Sequence, residues 1–209
     1  GSFALPAGLG GQSIALGLSP QRVVAILSVL LLTWINVRGV ALGAGIQTLL
    51  TLVKTVALGG LIFLGITLFR HADVWVANTA HFWGAAPWSL AMLPVVAAAM
   101  VGSLFSSDAW NNVTFAAAEV REPARNLPRA LALGTGLVTL LYLLANVAYL
   151  NVLPFGGDPA GVDAVARGIQ HAASDRIGAA AAEVMLGSAG ALVMAGLIVI
   201  STFGCNAGL

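Results

Sequence analysis

The apolar run that begins at Met92 is interrupted by Ser103-Leu-Phe-Ser-Ser-Asp-Ala-Trp-Asn-Asn112, and this interruption limits the folds open to the chain more than any other stretch. A charge at the centre of a bilayer costs about 3 kcal/mol on insertion scales, so an acid such as Asp108 inside an apolar run points to a site. The uninterrupted part, Met92 to Phe105, is also short. A helix needs about 20 apolar residues to cross a hydrocarbon core about 30 Å thick. A helix over 88–120, broken near 106–108, accounts for both features. Two half-helices meeting at mid-depth leave backbone amides and carbonyls free to hold a solute. The plainer alternative is a kinked helix in which Asp108 only caps the second half.

Composition sets the class. Of 209 residues, 59% are hydrophobic and 8% charged. Soluble domains carry about 25% charged residues, so the chain reads as an all-α polytopic membrane protein. A net charge of +1 excludes a nucleic-acid partner, and a single cysteine, Cys205, excludes an internal disulfide framework. No Cys/His cluster has metal-ligand spacing, and no cofactor motif is present. His71, His81 and His171 fall in polar connections and are read as structural.

Five spans are expected in a single membrane region covering 1–209. Residues 1–18 read as a loop or as the end of a preceding span. Ser19-Pro20 then opens a helix, with Ser as N-cap and Pro in the first helical position, and the first span covers 20–37. The second, 43–69, carries Gln47, Thr51, Lys54 and Thr55 on one face. At 1.5 Å per residue Lys54 stands about 16 Å beyond Gly43, too deep for its stem to reach the interface comfortably. A polar connection from Arg70 to Pro87 contains Asp73 and a group of tryptophans suited to the headgroup region. After the broken helix, Arg121 to Arg129 holds the densest charge in the chain and leans cytoplasmic.

The fourth span, 128–150, sets Thr135, Thr139, Tyr142, Asn146 and Tyr149 in a polar seam that serves either helix packing or a solute path. A longer extramembrane segment follows, in which 162–173 is expected to form an amphipathic helix. The last span, 180–204, has Gly187, Ala191, Ala195, Gly196 and Gly204 for close helix approach and Ser201 with Thr202 as its polar pair.

Two stretches, Ser107-Asp-Ala-Trp-Asn-Asn112 and Glu119-Val-Arg-Glu-Pro-Ala-Arg-Asn-Leu-Pro-Arg-Ala130, resemble the amino acid-polyamine-organocation (APC) superfamily, particularly its bacterial permeases and L-type amino acid transporter branch. Ile200-Ser-Thr-Phe-Gly-Cys-Asn206 resembles that superfamily's eighth span. The resemblance implies spans four to eight of a LeuT-like inverted-repeat transporter, lying in a bacterial inner membrane and lacking its first spans. It also implies that Phe105 is a gating aromatic, that Ser106, Ser107, Asp108 and Ala109, followed by Trp110 and Asn111, hold the substrate, and that Ser201 and Thr202 neighbour Lys54 at a cation site. The chain departs from the pattern at Ser107, where an aromatic is common, and at Ala109, where glycine is usual.

The implied function is secondary transport of amino acids by exchange or with a coupled cation, in contact with membrane lipid and the missing spans. Two other classes compete with it. An intramembrane hydrolase needs a carboxylate dyad or an activated serine, but Asp108 is the only acid well inside a span and no histidine lies within one. A membrane fragment without transport activity is the other.

Overall fold

The computed structural model describes residues 3–4, 15–16, 19–38, 40–80, 89–106, 114, 117–118 and 120–207. The chain divides into two compact units, one of 1–57 with 195–209 and one of 58–194. Apart from a two-residue antiparallel ladder pairing Phe3 with Leu16 and Ala4 with Ala15 (β1 and β2), the regular structure among the described residues is helical.

In the first unit, α1 covers Pro20–Val37. Ser19 opens it as the sequence suggests, its hydroxyl accepting from the Arg22 N–H at 3.3 Å while Pro20 takes the first turn, where a missing N–H costs nothing. At the far end the Arg38 guanidinium lies 4.1 Å above the Trp34 ring, a cation–π contact suited to the edge of an apolar helix. Helix α2, Val40–Thr67, begins in this unit, and α8, Ser188–Ala207, ends in it.

The second unit packs around the end of α5. This helix covers Pro123–Val152, starting earlier than the expected Pro128. Pro123 takes the first helical position, and Pro128 is absorbed inside the helix at the loss of one backbone bond. The helix stops at Leu153 because Pro154 follows: a residue before proline is pushed out of the helical region, and Leu153 is extended at φ −120°, ψ 137°. The polar connection after α2 contains a short helix, α3 (Ala72–Thr79), that the sequence reading did not anticipate. Its Asn78 amide donates to the carbonyls of Leu150 (2.8 Å) and Leu153 (2.9 Å) and accepts from the Phe155 N–H (2.7 Å). One side chain therefore satisfies groups that the end of α5 leaves without helical partners.

The core of this unit consists of Val152, Leu153, Ala164, Ala172, Ala180, Ala181 and Met185, with Leu61, Leu64, Phe69 and Tyr149 packed against it. It joins the end of α5 to the segment 154–176 and to α7, Ile177–Leu186. Two expectations fail here. The helix expected over 162–173 is reduced to four residues, α6 (Ala164–Arg167). Asp163 caps it by accepting from the Ala166 N–H at 2.7 Å, and Gly168, at φ 63°, turns the chain out of it.

The single span expected over 180–204 is likewise two helices, α7 and α8, separated at Gly187. Its φ of 63° with ψ of −148° belongs to a region that side chains rarely enter. Gly190 then lets the first turn of α8 lie on the backbone of α7, since a Cβ there would overlap the Ala182 carbonyl.

Helix α4, Leu93–Ser106, follows a 3-10 turn at Leu90–Met92. At 14 residues it is shorter than the roughly 20 needed to span a bilayer.

Candidate functional site

Lys54 is the one charge in the middle of an apolar span among the described residues. The spanning part of α2 covers Leu42–Thr67, which places Lys54 nearly equidistant from its ends, about 18–20 Å from each at 1.5 Å per residue. Helix propensity favours lysine well enough at this position, but desolvation of its ammonium does not. What faces it is informative. Gly204 of α8 is buried, and a Cβ built there would lie 3.7 Å from the Lys54 Nζ and 3.5 Å from the Leu50 Cβ. Leu50 and Lys54 are one turn apart, so a single face of α2 meets α8 at its glycine.

Lys54 is part-buried, and no described side chain forms an ion pair or hydrogen bond with it. Two turns earlier on the same face, the Gln47 Oε1 is buried and has no hydrogen-bond partner. An unpaired ammonium and an unsatisfied amide oxygen on one face of a spanning helix leave polar valence directed at something other than the described side chains.

The two hydroxyl residues expected near Lys54 are placed differently. Ser201 is part-buried and lies three residues from Gly204, so it shares the face that Lys54 approaches. Thr202 is exposed, and its hydroxyl donates back to the Ile198 carbonyl at 2.8 Å. At 100° per residue it is turned about 200° around the helix from Gly204. The structure thus brings Lys54 to the Gly204 side of α8, and it does not bring Thr202 there.

For the substrate segment, α4 carries the backbone of Phe105 and Ser106 as its last two residues. Ser107, Asp108, Ala109, Trp110 and Asn111 lie outside the described residues, as does most of the second half-helix expected over 109–120. Among the described residues, no group of three or more His, Cys, Asp or Glu is arranged to hold a metal ion.

Sequence reasoning missed Gly204 as the contact point, although it had singled out both Lys54 and a small-residue pattern on the last span. The signal was a lysine on one span and a glycine on another, and nothing in either alone registers them against each other.

Among the described residues, three helices are long and apolar enough to cross a membrane, Leu42–Thr67, Pro123–Val152 and Ser188–Asn206, with mean hydropathies of 2.1, 1.9 and 1.9. Together with a lysine held at mid-span, they define a polytopic integral membrane protein. Residues 8–209 match the amino acid permease family, and the chain belongs to it. It is 30% identical over 141 residues to the b(0,+)-type amino acid transporter 1 of Oryctolagus cuniculus, an alignment covering 66% of this chain and 28% of that protein. Against the Large neutral amino acids transporter small subunit 2 of Homo sapiens it is 31% identical over 140 residues, 65% of this chain and 25% of the relative. The chain therefore spans about a quarter of the length of these relatives. No solved structure matches it significantly.

Proposed function

We propose that this chain is part of a secondary transporter that moves amino acids across a membrane by alternating access, by exchange or with a coupled proton or sodium ion. The observation that carries the reading is the Lys54 ammonium, at mid-span in a member of the amino acid permease family, against Gly204 and without an ion-pair partner among the described residues. A desolvated charge so placed has a functional reason by default. In this reading Lys54 occupies a coupling site with Ser201, standing where a bound cation would otherwise sit. Thr202 acts at the same site only if its hydroxyl leaves the Ile198 carbonyl during the cycle.

The remaining parts follow from the resemblance of the 107–130 stretch. The fold is a LeuT-like inverted repeat. The helix that includes α4 is discontinuous near 106–108, and Phe105, Ser106, Ser107, Asp108, Ala109, Trp110 and Asn111 form the substrate segment. Free amides at the start of the second half-helix take the amino acid carboxylate, as helix N-termini take anions. Asp108, close to those amides, is available to a substrate ammonium or cationic side chain. The membrane is a bacterial inner membrane, and the protein's further spans supply the other half of the site.

The test is substrate profiling of the intact protein in proteoliposomes. Asp108→Asn is expected to change the ratio of cationic to neutral amino acid uptake at least about tenfold, the effect of one lost charge-assisted contact of about 1.4 kcal/mol. An unchanged ratio with unchanged rates removes Asp108 from the substrate segment. No uptake of any amino acid by the wild-type protein overturns the transport reading itself.

A further inference from the structure

The segment between α5 and α7, together with the first turns of α7, borders a half-open cavity of about 160 Å³. Its floor is made of alanines, Ala164 and Ala180 among them, both buried. Its rim carries Arg167, Ser174, Arg176 and Glu183. The local backbone explains why the hollow exists. Ser174 and Asp175 both take left-handed angles, φ 55° and 57°, at a bend where Ser174 and Arg176 both line the cavity. Alanines at the junction of α6 and α7 then leave unfilled the volume that larger side chains would occupy.

The charges on the rim are opposite in sign and remain apart. Arg176 and Glu183 are seven residues apart at the start and in the second turn of α7, about 10 Å along its axis at 1.5 Å per residue. Among the described residues neither forms an ion pair. Arg167 uses its Nε on the Asp163 carbonyl at 3.3 Å, which leaves its terminal guanidinium nitrogens for the opening. Two guanidinium groups and one carboxylate lining the same small cavity suit a small molecule with a negative and a positive end. The forks take a carboxylate with paired N–H donors, Glu183 takes an ammonium, and the alanine floor takes an apolar side chain.

We infer that this cavity is a second amino acid site, an extramembrane station that holds a free zwitterionic amino acid by its carboxylate at Arg167 and Arg176 and its ammonium at Glu183. The inference rests on the reading of the chain as part of an amino acid transporter, but it involves none of the residues assigned to the coupling or substrate segments.

The experiment is saturation binding of tritiated leucine, lysine and glutamate to the purified intact protein, with uptake by the same preparation in proteoliposomes. Two leucines per wild-type protein are expected. Arg176→Gln and Glu183→Gln should each reduce this to one by weakening the outer site at least about tenfold, the loss of one charge-assisted contact. One leucine bound in the wild type and in both variants, with uptake intact, overturns the second site and leaves the transport reading standing. No binding and no uptake in the wild type overturns both. Inorganic phosphate competing at the cavity, with sensitivity to Arg176→Gln but not to Glu183→Gln, overturns the zwitterion assignment in favour of a simple anion site.

Discussion

The two ends of α5 differ in what they rest on. Toward Val152 the helix is enclosed: Ala145, Ala148, Asn151 and Val152 are buried, Gly65 of α2 passes close to Ala148, and Asn78 holds the terminal carbonyls. Toward Pro123 large apolar side chains face outward, with Leu133 at 75% exposure and Leu137 at 50%. In water such a surface would drive association. On a membrane span it is the face that lipid or further helices cover, while the backbone stays satisfied within the helix. Helix α5 thus packs against the chain's own segments toward Val152 and leaves its apolar surface toward Pro123 to its surroundings.

Breaking the enclosed end should have the largest effect. Asn78→Ala strips partners from the carbonyls of Leu150 and Leu153 and from the Phe155 N–H. At about 1–3 kcal/mol for each group left unsatisfied, partly offset by water, a loss of about 2–4 kcal/mol is expected. Thermal denaturation of the intact protein in detergent measures it. Gly168→Ala comes next: at φ 63° its new Cβ would press on the carbonyls of Gly156 and Pro154, an expected loss of about 1–3 kcal/mol in the same assay. At the exposed end, Leu133→Ala should change stability in detergent by less than about 0.5 kcal/mol. A larger loss would show that this face is packed rather than lipid-facing. The smallest effect is expected for Gly204→Ala, because the added methyl meets Leu50 and Lys54 only at ordinary van der Waals distances of 3.5 and 3.7 Å; expression and melting should be unchanged.

Legibility in the sequence followed the same division. Signals carried by a few neighbouring residues were readable. Ser19-Pro20 marks the start of α1, and the four-and-three spacing of Gln47, Thr51, Lys54 and Thr55 puts polarity on one face of α2. Features that need two distant segments were not. Asn78 in a polar connection gives no sign that the carbonyls at the end of α5, more than seventy residues later, depend on it.

Ambiguous residues misled in a specific way. Gly187 suits close helix packing as well as a break, and only its left-handed backbone angle decides for the break. Pro128 fits a helix start, but the helix begins at the earlier Pro123 because it tolerates the later proline inside it. The amphipathic pattern over 162–173 concealed Gly168, which ends α6 after four residues. At the candidate site the lysine was legible and its glycine neighbour was not.

The most direct test of the account is uptake by the intact protein carrying Lys54→Ala, in proteoliposomes with a panel of neutral and cationic labelled amino acids. Loss of turnover for every substrate by at least about tenfold, with leucine still bound, is the predicted result, since removing a coupling charge affects the cycle and not the recognition of one side chain. Uptake at the wild-type rate across the panel would contradict the claim that the lysine facing Gly204 drives the transport cycle.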